Sequence, residues 1–571
     1  MKRAVVTGLV MALLSSSAIS APAYDLVIRG GAIYDGSGGA PVKGDVAIKG
    51  QRIACVGACP GAATKTVDAA GKAVAPGFIN MLSWSTESLI QDGRALSELK
   101  QGITLEVMGE GDSMGPLSPE MKRLALQRQG DIRYPIGWTS LDEYLRFLEK
   151  KGVSVNVASF IGAATARIHE LGEGDVDPTP DQLARMRALV VKAMEDGAMG
   201  VGSSLIYAPG SYAETDELVA LVTEAGRCGG MYISHMRSEG NRLEQAVDEL
   251  ITISRRSGAP AEIYHLKASG KPNWGKLDGV LKQIEAARAE GLRITADMYT
   301  YPAGSTGLDA AMPTWVQAGG VEAWIARLKD PETRAKVKAE MIGEPVGFEN
   351  LQRHAGAEGT LLVGFKNPKL KPLTGKTLAE VARERGVSPQ DAAIDLVIED
   401  GSRVQVVYFL MDEANVARQT ALPWVSFGSD AEGQAPEGPF LLSSTHPRAY
   451  GNFSRLLAKY VRDEKRLSLA EAVRKLSALP AHNLGLHDRG MLKVGNYADV
   501  VVFDPATIQD HATFEKPQQF STGVSEVVVN GQLSLAKGEP TAARPGQVVR
   551  GRGWTGWKDG GCRASAKDWN W

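Results

Sequence analysis

Two short apolar runs in this chain end in histidine. Met231-Tyr232-Ile233-Ser234-His235 and Ala261-Glu262-Ile263-Tyr264-His265 each lead up to an imidazole, with Arg237 and Lys267 following two residues later. One strand-and-helix unit separates the imidazoles, so they belong to consecutive strands and could face one site. A single histidine ending a strand is ordinarily structural, whereas two on adjacent strands point to a metal pair. A third run, Trp424-Val425-Ser426-Phe427-Gly428-Ser429-Asp430, ends in an aspartate. It could orient an attacking water and take its proton; its bland alternative is a cap on the following loop. A fourth run enters Gly109-Glu110-Gly111-Asp112, where glycines let the backbone approach closely. Glu110 with His235 and His265 makes a His2Glu set, a known catalytic zinc arrangement with an open position for water. The alternative is a turn acid facing solvent, and Asp112 is the weaker candidate for the same role.

Such side chains converge only if the strands beneath them do. Eight runs read as buried strands: Gly77 to Leu82, Ile103 to Met108, Val155 to Ile161, Ala198 to Leu205, Met231 to His235, Ala261 to His265, Ile294 to Tyr299 and Val425 to Asp430. Helical patterns such as Thr215 to Cys228 and Leu243 to Ser257 alternate with them. The expected fold is therefore α/β, a (β/α)8 TIM-like barrel with its chemistry at the C-terminal ends of the strands. The interval from Ser305 to Leu422 is too long for one crossover and reads as an insertion over the barrel mouth. Both ends of the chain are β-rich: Asp25 to Gly31 and Asp45 to Gly50 at one, Ala498 to Asp504 and Val524 to Val529 at the other, the last followed by an Asn530-Gly531 hairpin turn. A small β-sandwich built from both ends is expected, from residues 24–75 and 487–545, around a barrel over 76–486. Residues 546–571, with Trp554, Trp557, Trp569 and Trp571, read as a tail wrapped on the surface.

Length and charge narrow the rest. The 571 residues suffice for a barrel of about 250 residues, an insertion and a satellite domain. A net charge of −2 offers no basic footprint, which excludes nucleic acid as a partner. Lys2 and Arg3 precede an apolar run from Ala4 to Leu14 and the small residues Ser15 to Ala23, the order of a secretory signal peptide. The run is shorter than the about 20 residues that span a bilayer. Cleavage after Ser20, Ala21 or Ala23 would give a periplasmic or secreted chain with no membrane attachment. There Cys55 and Cys59 could pair across a short turn, or remain two small residues at a strand end.

Several motifs then carry a resemblance. Gly200-Val201-Gly202-Ser203-Ser204-Leu205-Ile206-Tyr207-Ala208-Pro209-Gly210, Ile233-Ser234-His235-Met236-Arg237-Ser238-Glu239-Gly240, His265-Leu266-Lys267-Ala268-Ser269-Gly270, Asp297-Met298-Tyr299-Thr300-Tyr301-Pro302 and His446-Pro447-Arg448-Ala449-Tyr450-Gly451-Asn452-Phe453 are jointly hard to reach by chance. From Tyr24 to Asp504 the chain resembles the D-aminoacylase (N-acyl-D-amino-acid deacylase) branch of the amidohydrolase superfamily. The resemblance implies a zinc held by two histidines, matching His235 and His265, and by a cysteine ending the second strand. It also implies a catalytic aspartate matching Asp430. Substrate carboxylate recognition would fall to Arg448, Tyr299 and Lys267, with Ser305 near a substrate-contacting serine. A guanidinium fork suits a carboxylate.

Two departures qualify the carry-over. The family's G-N-C-G turn is one residue shorter here, Gly109-Glu110-Gly111, which puts Glu110 at or beside the cysteine. A carboxylate is a harder donor than a thiolate, so manganese or iron join zinc as candidates for the one divalent metal. The P-G-F-I-D-x-H-x-H stretch reads Pro76-Gly77-Phe78-Ile79-Asn80-Met81-Leu82-Ser83-Trp84, and Leu82 and Trp84 exclude the usual second metal. The expected activity is cleavage of a linear amide in an N-acylated amino acid, a D-amino acid by the resemblance, by a metal-activated water with Asp430 as base. Two alternatives stay open: a non-catalytic small-molecule-binding relative, and a hydrolase of another carbon–nitrogen bond such as a cyclic amide or isopeptide.

Overall fold

The computed structural model describes residues 22–556 and Cys562. The expected signal peptide lies outside the described residues except for its last two positions, and so do Trp557, Trp569 and Trp571 of the tail. No helix among the described residues is long and apolar enough to cross a membrane.

Eight short parallel strands form the barrel, mostly of apolar or small residues and almost wholly buried, as a sheet covered by helices requires. They are Phe78–Asn80, Ile103–Met108, Asn156–Ser159 (resuming at Ile161–Gly162), Gly200–Ser204, Met231–His235, Ala261–Ile263, Ile294–Met298 and Val425–Phe427. Parallel pairing runs from the first strand through to the third and from Ile161–Gly162 through to the eighth. The seam between the eighth and the first is closed by Met81 N donating to Phe427 O, Asp430 N donating to Leu82 O, and a bridge between Ser83 and Ala431. Ile79, Leu82, Val107, Phe160, Ile233 and Tyr264 pack in the interior. The helices Thr215–Arg227 and Leu243–Ser257 turn apolar faces onto the barrel.

Between the seventh and eighth strands the chain makes a three-stranded antiparallel sheet, Gly304–Gly307, Thr360–Gly364 and Gln405–Tyr408. Helices including Val321–Leu328 and Pro389–Asp400 pack on it around a separate core containing Trp324, Leu362, Leu396 and Val406. Strands from the two chain ends join in one nine-stranded sheet, with Ala73–Pro76 from the first part paired to Val500–Phe503 from the second. Asn530 and Gly531 have φ of 47° and 80°, the doubly positive turn that the hairpin sequence requires.

The tail does more than cover the surface. Gly546 N and Val549 N donate to Val153 O and Val157 O, Gly551 N donates to Gly197 O, and Val549 is buried with the barrel interior beside Leu484. These contacts are at the N-terminal ends of the strands, so the tail helps floor the barrel. Cys55 pairs with Cys59, and Cys228 with Cys562 at a sequence separation of 334. The second pairing had no local signal, since 334 residues of sequence separate its halves.

Candidate metal centre

His235 is the last residue of the fifth strand, and His265 lies two residues beyond the sixth. Glu110 leaves the second strand between two glycines. Both glycines have positive φ, 107° at Gly109 and 74° at Gly111; a Cβ on the first would meet Phe160 O at 2.5 Å, and on the second Ser204 Cβ at 2.5 Å. Only glycine fits this approach, and it brings the carboxylate over the strand ends. His265 and Asp430 are themselves non-glycine residues at positive φ, 35° and 50°. The first is held by its backbone N–H donating to Asp297 Oδ1 at 2.8 Å, the second by its N–H on Leu82 O at 2.9 Å. Backbone strain of this kind persists where surrounding structure fixes it, as at reactive sites.

Glu110 Oε1 lies 3.1 Å from His235 Nδ1 and 3.0 Å from His265 Nε2. One ligand atom from each of the three residues falls within 4.8 Å of the others, and all three residues are buried. Behind them, Glu239 Oε1 lies 2.9 Å from His265 Nδ1 and 2.6 Å from Lys267 Nζ. An imidazole that keeps its Nδ1 proton on Glu239 presents a lone pair at Nε2, the arrangement of metal-binding histidines backed by a carboxylate. Burial alone would raise the Glu110 and Glu239 carboxyls. His265 and His235 hold Glu110 well below the usual carboxylate range, and His235 and Lys267 do the same for Glu239. Burial and Lys267 push His265 down, but Glu239 and Glu110 outweigh them and lift it to about 10. Two ionised carboxylates thus flank the two imidazoles, with Lys267 as the counter-charge to Glu239. Two nitrogens and one carboxylate, buried and backed in this way, fit a single divalent metal.

Asp430 stands beside this cluster. Its Oδ2 is 2.8 Å from Arg448 Nη1, and its Oδ1 accepts from Trp84 Nε1 at 3.1 Å. Burial raises its pKa, Arg448 opposes that, and Glu110 adds to it. Arg448 opens the helix Arg448–Arg455, with its backbone N–H donating to His446 Nδ1 and its guanidinium 4.5 Å over the Tyr299 ring. Arg448 Nε and the Tyr299 hydroxyl are both buried without a hydrogen-bond partner. Two such donors facing one cavity are unsatisfied unless a ligand meets them.

The structure therefore brings Glu110, His235, His265, Asp430, Arg448, Tyr299, Lys267 and Ser305 around one cavity of about 610 Å³. Two of these sit differently from the simplest expectation. Lys267 Nζ is engaged by Glu239 and lies 2.7 Å from His265 Nδ1, behind the histidine. Ser305 spends its hydroxyl on Val406 O at 2.9 Å, while its carbonyl accepts from Arg448 Nη2 at 3.3 Å. Asp112 lines the cavity but is exposed, and it is not among the clustered ligand atoms. Glu239 was visible in sequence only as an acid four residues after His235, a weak signal. Also given no role from sequence was Arg403, which pairs with Asp309 at 2.8 Å and lies 4.9 Å over the Tyr207 ring from the insertion side.

Comparison with known proteins follows the same outline. The family model for the amidohydrolase family matches residues 65–534. An N-acyl-D-glutamate deacylase of Alcaligenes xylosoxydans xylosoxydans is 34% identical over 529 residues, which cover 92% of this chain and 96% of that protein. The crystal structure of N-acyl-D-glutamate deacylase from Bordetella bronchiseptica, complexed with zinc and a phosphonate mimic of the tetrahedral intermediate, superposes with a TM-score of 0.76 at 30% identity, covering 92% of this chain and 99% of that one. A D-aminoacylase structure concerned with the role of a binuclear metal centre, with one-metal activation and second-metal attenuation, also gives 0.76 at 30% identity, covering 92% and 100%.

Proposed function

The chain belongs to the amidohydrolase family, and from that premise we propose that it deacylates N-acyl-D-amino acids using one divalent metal, zinc in the first place, held by Glu110, His235 and His265. The carrying observation is the meeting, in one cavity, of that ligand set with Asp430 on one side and the unpartnered donors of Arg448 and Tyr299 on the other. A metal bound there would supply Lewis acidity, polarising the scissile carbonyl and making water acidic enough to react near neutral pH. Arg448 and Tyr299 bind the α-carboxylate of the amino acid, the guanidinium as a charged donor and the phenol as a neutral one. Asp430, clamped by Trp84 and Arg448, takes the proton of the attacking water and returns it to the departing nitrogen. Glu239 keeps His265 in the tautomer that binds metal, and Lys267 keeps Glu239 charged. The insertion closes the cavity from above through residues such as Phe365 and Arg403.

We also place the working protein in the periplasm or outside the cell. The amino-terminal residues have the order of a signal peptide, and all four cysteines are paired, as suits an oxidising compartment. The test is elemental analysis of the purified mature protein together with a panel of N-acyl-D- and N-acyl-L-amino acids. About one metal per chain and release of free D-amino acid are expected. A chain that takes up no metal on reconstitution, or that holds metal and cleaves no N-acylated amino acid, would end this reading.

A further inference from the structure

Trp84 occupies one of the two positions at which the sequence lacks a second metal's histidines, and its side chain is far from idle. The indole Nε1–H donates to Glu110 Oε2 at 3.0 Å and to Asp430 Oδ1 at 3.1 Å, one donor shared by two carboxylates. Its backbone is tied to the same loop: Trp84 N donates to Ala431 O, Ser83 bridges Ala431, and Asp430 N donates to Leu82 O. Ring and loop are therefore fixed relative to one another along the barrel seam. Leu82, at the other lost position, is buried in the apolar barrel interior and offers nothing polar.

The division of labour within Glu110 is the informative part. Oε1 faces the two imidazole nitrogens, while Oε2 faces the indole. An N–H on one carboxylate oxygen competes with a metal for that oxygen and leaves the other as the better ligand. Asp430 is divided likewise, Oδ1 on the indole and Oδ2 on Arg448. Two carboxylates that share a single N–H repel. A cation between them would relieve that repulsion. Indole N–H is a donor that cannot bind metal, yet its dipole points at both anions.

We propose that Trp84 is a positioning residue that stands in for a second cation: its N–H keeps Glu110 monodentate, holds Asp430 against the ligand cluster, and fills the space a second metal would need. The proposal rests on the metal-dependent hydrolase reading above. It makes the centre mononuclear by construction, with Asp430 oriented by protein donors alone.

The experiment uses Co2+ titration of the full mature chain, because cobalt absorption reports coordination geometry independently of turnover. Trp84→Phe removes the N–H along with part of the ring. A second variant, replacement of Trp84 by benzothienylalanine, keeps the two-ring frame and exchanges only N–H for sulfur. Wild type should take up one Co2+ per chain. Both variants should show an altered Co2+ spectrum as Glu110 Oε2 is freed, and affinity about 10- to 100-fold weaker. With the Asp430 side chain held by Arg448 alone, kcat should fall on the order of 100-fold. KM should stay within about twofold, because Arg448 and Tyr299 are untouched. Variants with wild-type spectrum, affinity and kcat would overturn the proposal. So would a benzothienylalanine variant that behaves as wild type while Trp84→Phe is impaired, since ring shape would then be what matters. Failure of the wild-type chain itself to bind Co2+ would strike the hydrolase reading first, and this inference with it.

Discussion

Asp430 and Arg448 face each other at 2.8 Å, which makes their roles separable only by kinetics. Asp430→Asn keeps the shape, turns one of the two accepting oxygens into an NH2 donor, and cannot accept the water's proton. Loss of a positioned general base typically costs about 100- to 10,000-fold in rate. Turnover should therefore collapse while the metal, held by other residues, stays at wild-type stoichiometry in elemental analysis; retained turnover would remove Asp430 from the mechanism. Arg448→Lys keeps the charge but loses the planar fork. Losing one charge-assisted hydrogen bond of about 1.5–3 kcal/mol should raise KM about 10- to 100-fold for substrates with a free α-carboxylate. Steady-state kinetics on an acid substrate and its carboxamide analogue check this. The carboxamide should respond little, and an equal rise for both would show that Arg448 does not read the carboxylate.

The turn Gly109-Gly111 is the element on which the ligand set depends. Gly109→Ala would place a methyl 2.5 Å from Phe160 O at a φ of 107°, and backbone cannot rotate away as a side-chain tip can. A destabilisation of about 2 kcal/mol or more is expected, from strained backbone and overpacking together. Metal affinity should fall with it as Glu110 shifts; thermal unfolding and zinc titration measure both, and a neutral variant would show that the turn has slack. Such elements differ in how far the sequence discloses them. Strand ends are readable: His235, His265, Glu110 and Asp430 each close an apolar run, and a barrel sends all such ends to one face. Contacts made across the barrel are not. Glu239 reaches His265 from the loop after the neighbouring strand, and Trp84 reaches Glu110 and Asp430 from strands on either side of it. Side-chain reach of that kind has no periodicity to read. Lys267 illustrates the same limit, since its place two residues past His265 was plain, but not that Glu239 would turn it behind the ring.

At the scale of the whole molecule the two ends of the barrel are built for different ends. The mouth collects charge for binding, whereas the floor is sealed by the helix Ala478–Asn483 and by the tail at Val549. The floor nevertheless encloses a carboxyl. Glu262, on the sixth strand, is fully buried and accepts from Thr295 Oγ1 at 2.6 Å and Asn483 Nδ2 at 2.8 Å. Burial outweighs these donors and pushes its pKa up to about 7, against 4.5 as a free side chain. Below pH 4.5 both folded and unfolded chains carry this proton, so the group contributes nothing to pH dependence there. Between 4.5 and about 7 the folded chain retains a proton that the unfolded chain releases, so stability falls as pH rises through that window. At about 1.4 kcal/mol per unit, the loss amounts to roughly 3 kcal/mol at most. Glu262→Gln keeps an acceptor for Thr295 and removes the titration. Denaturant unfolding at both edges of that window should show wild type losing more stability than the variant as pH rises. Identical losses in the two proteins would mean that Glu262 is ionised in the folded barrel, and that the floor admits the water or counter-charge needed to keep it so.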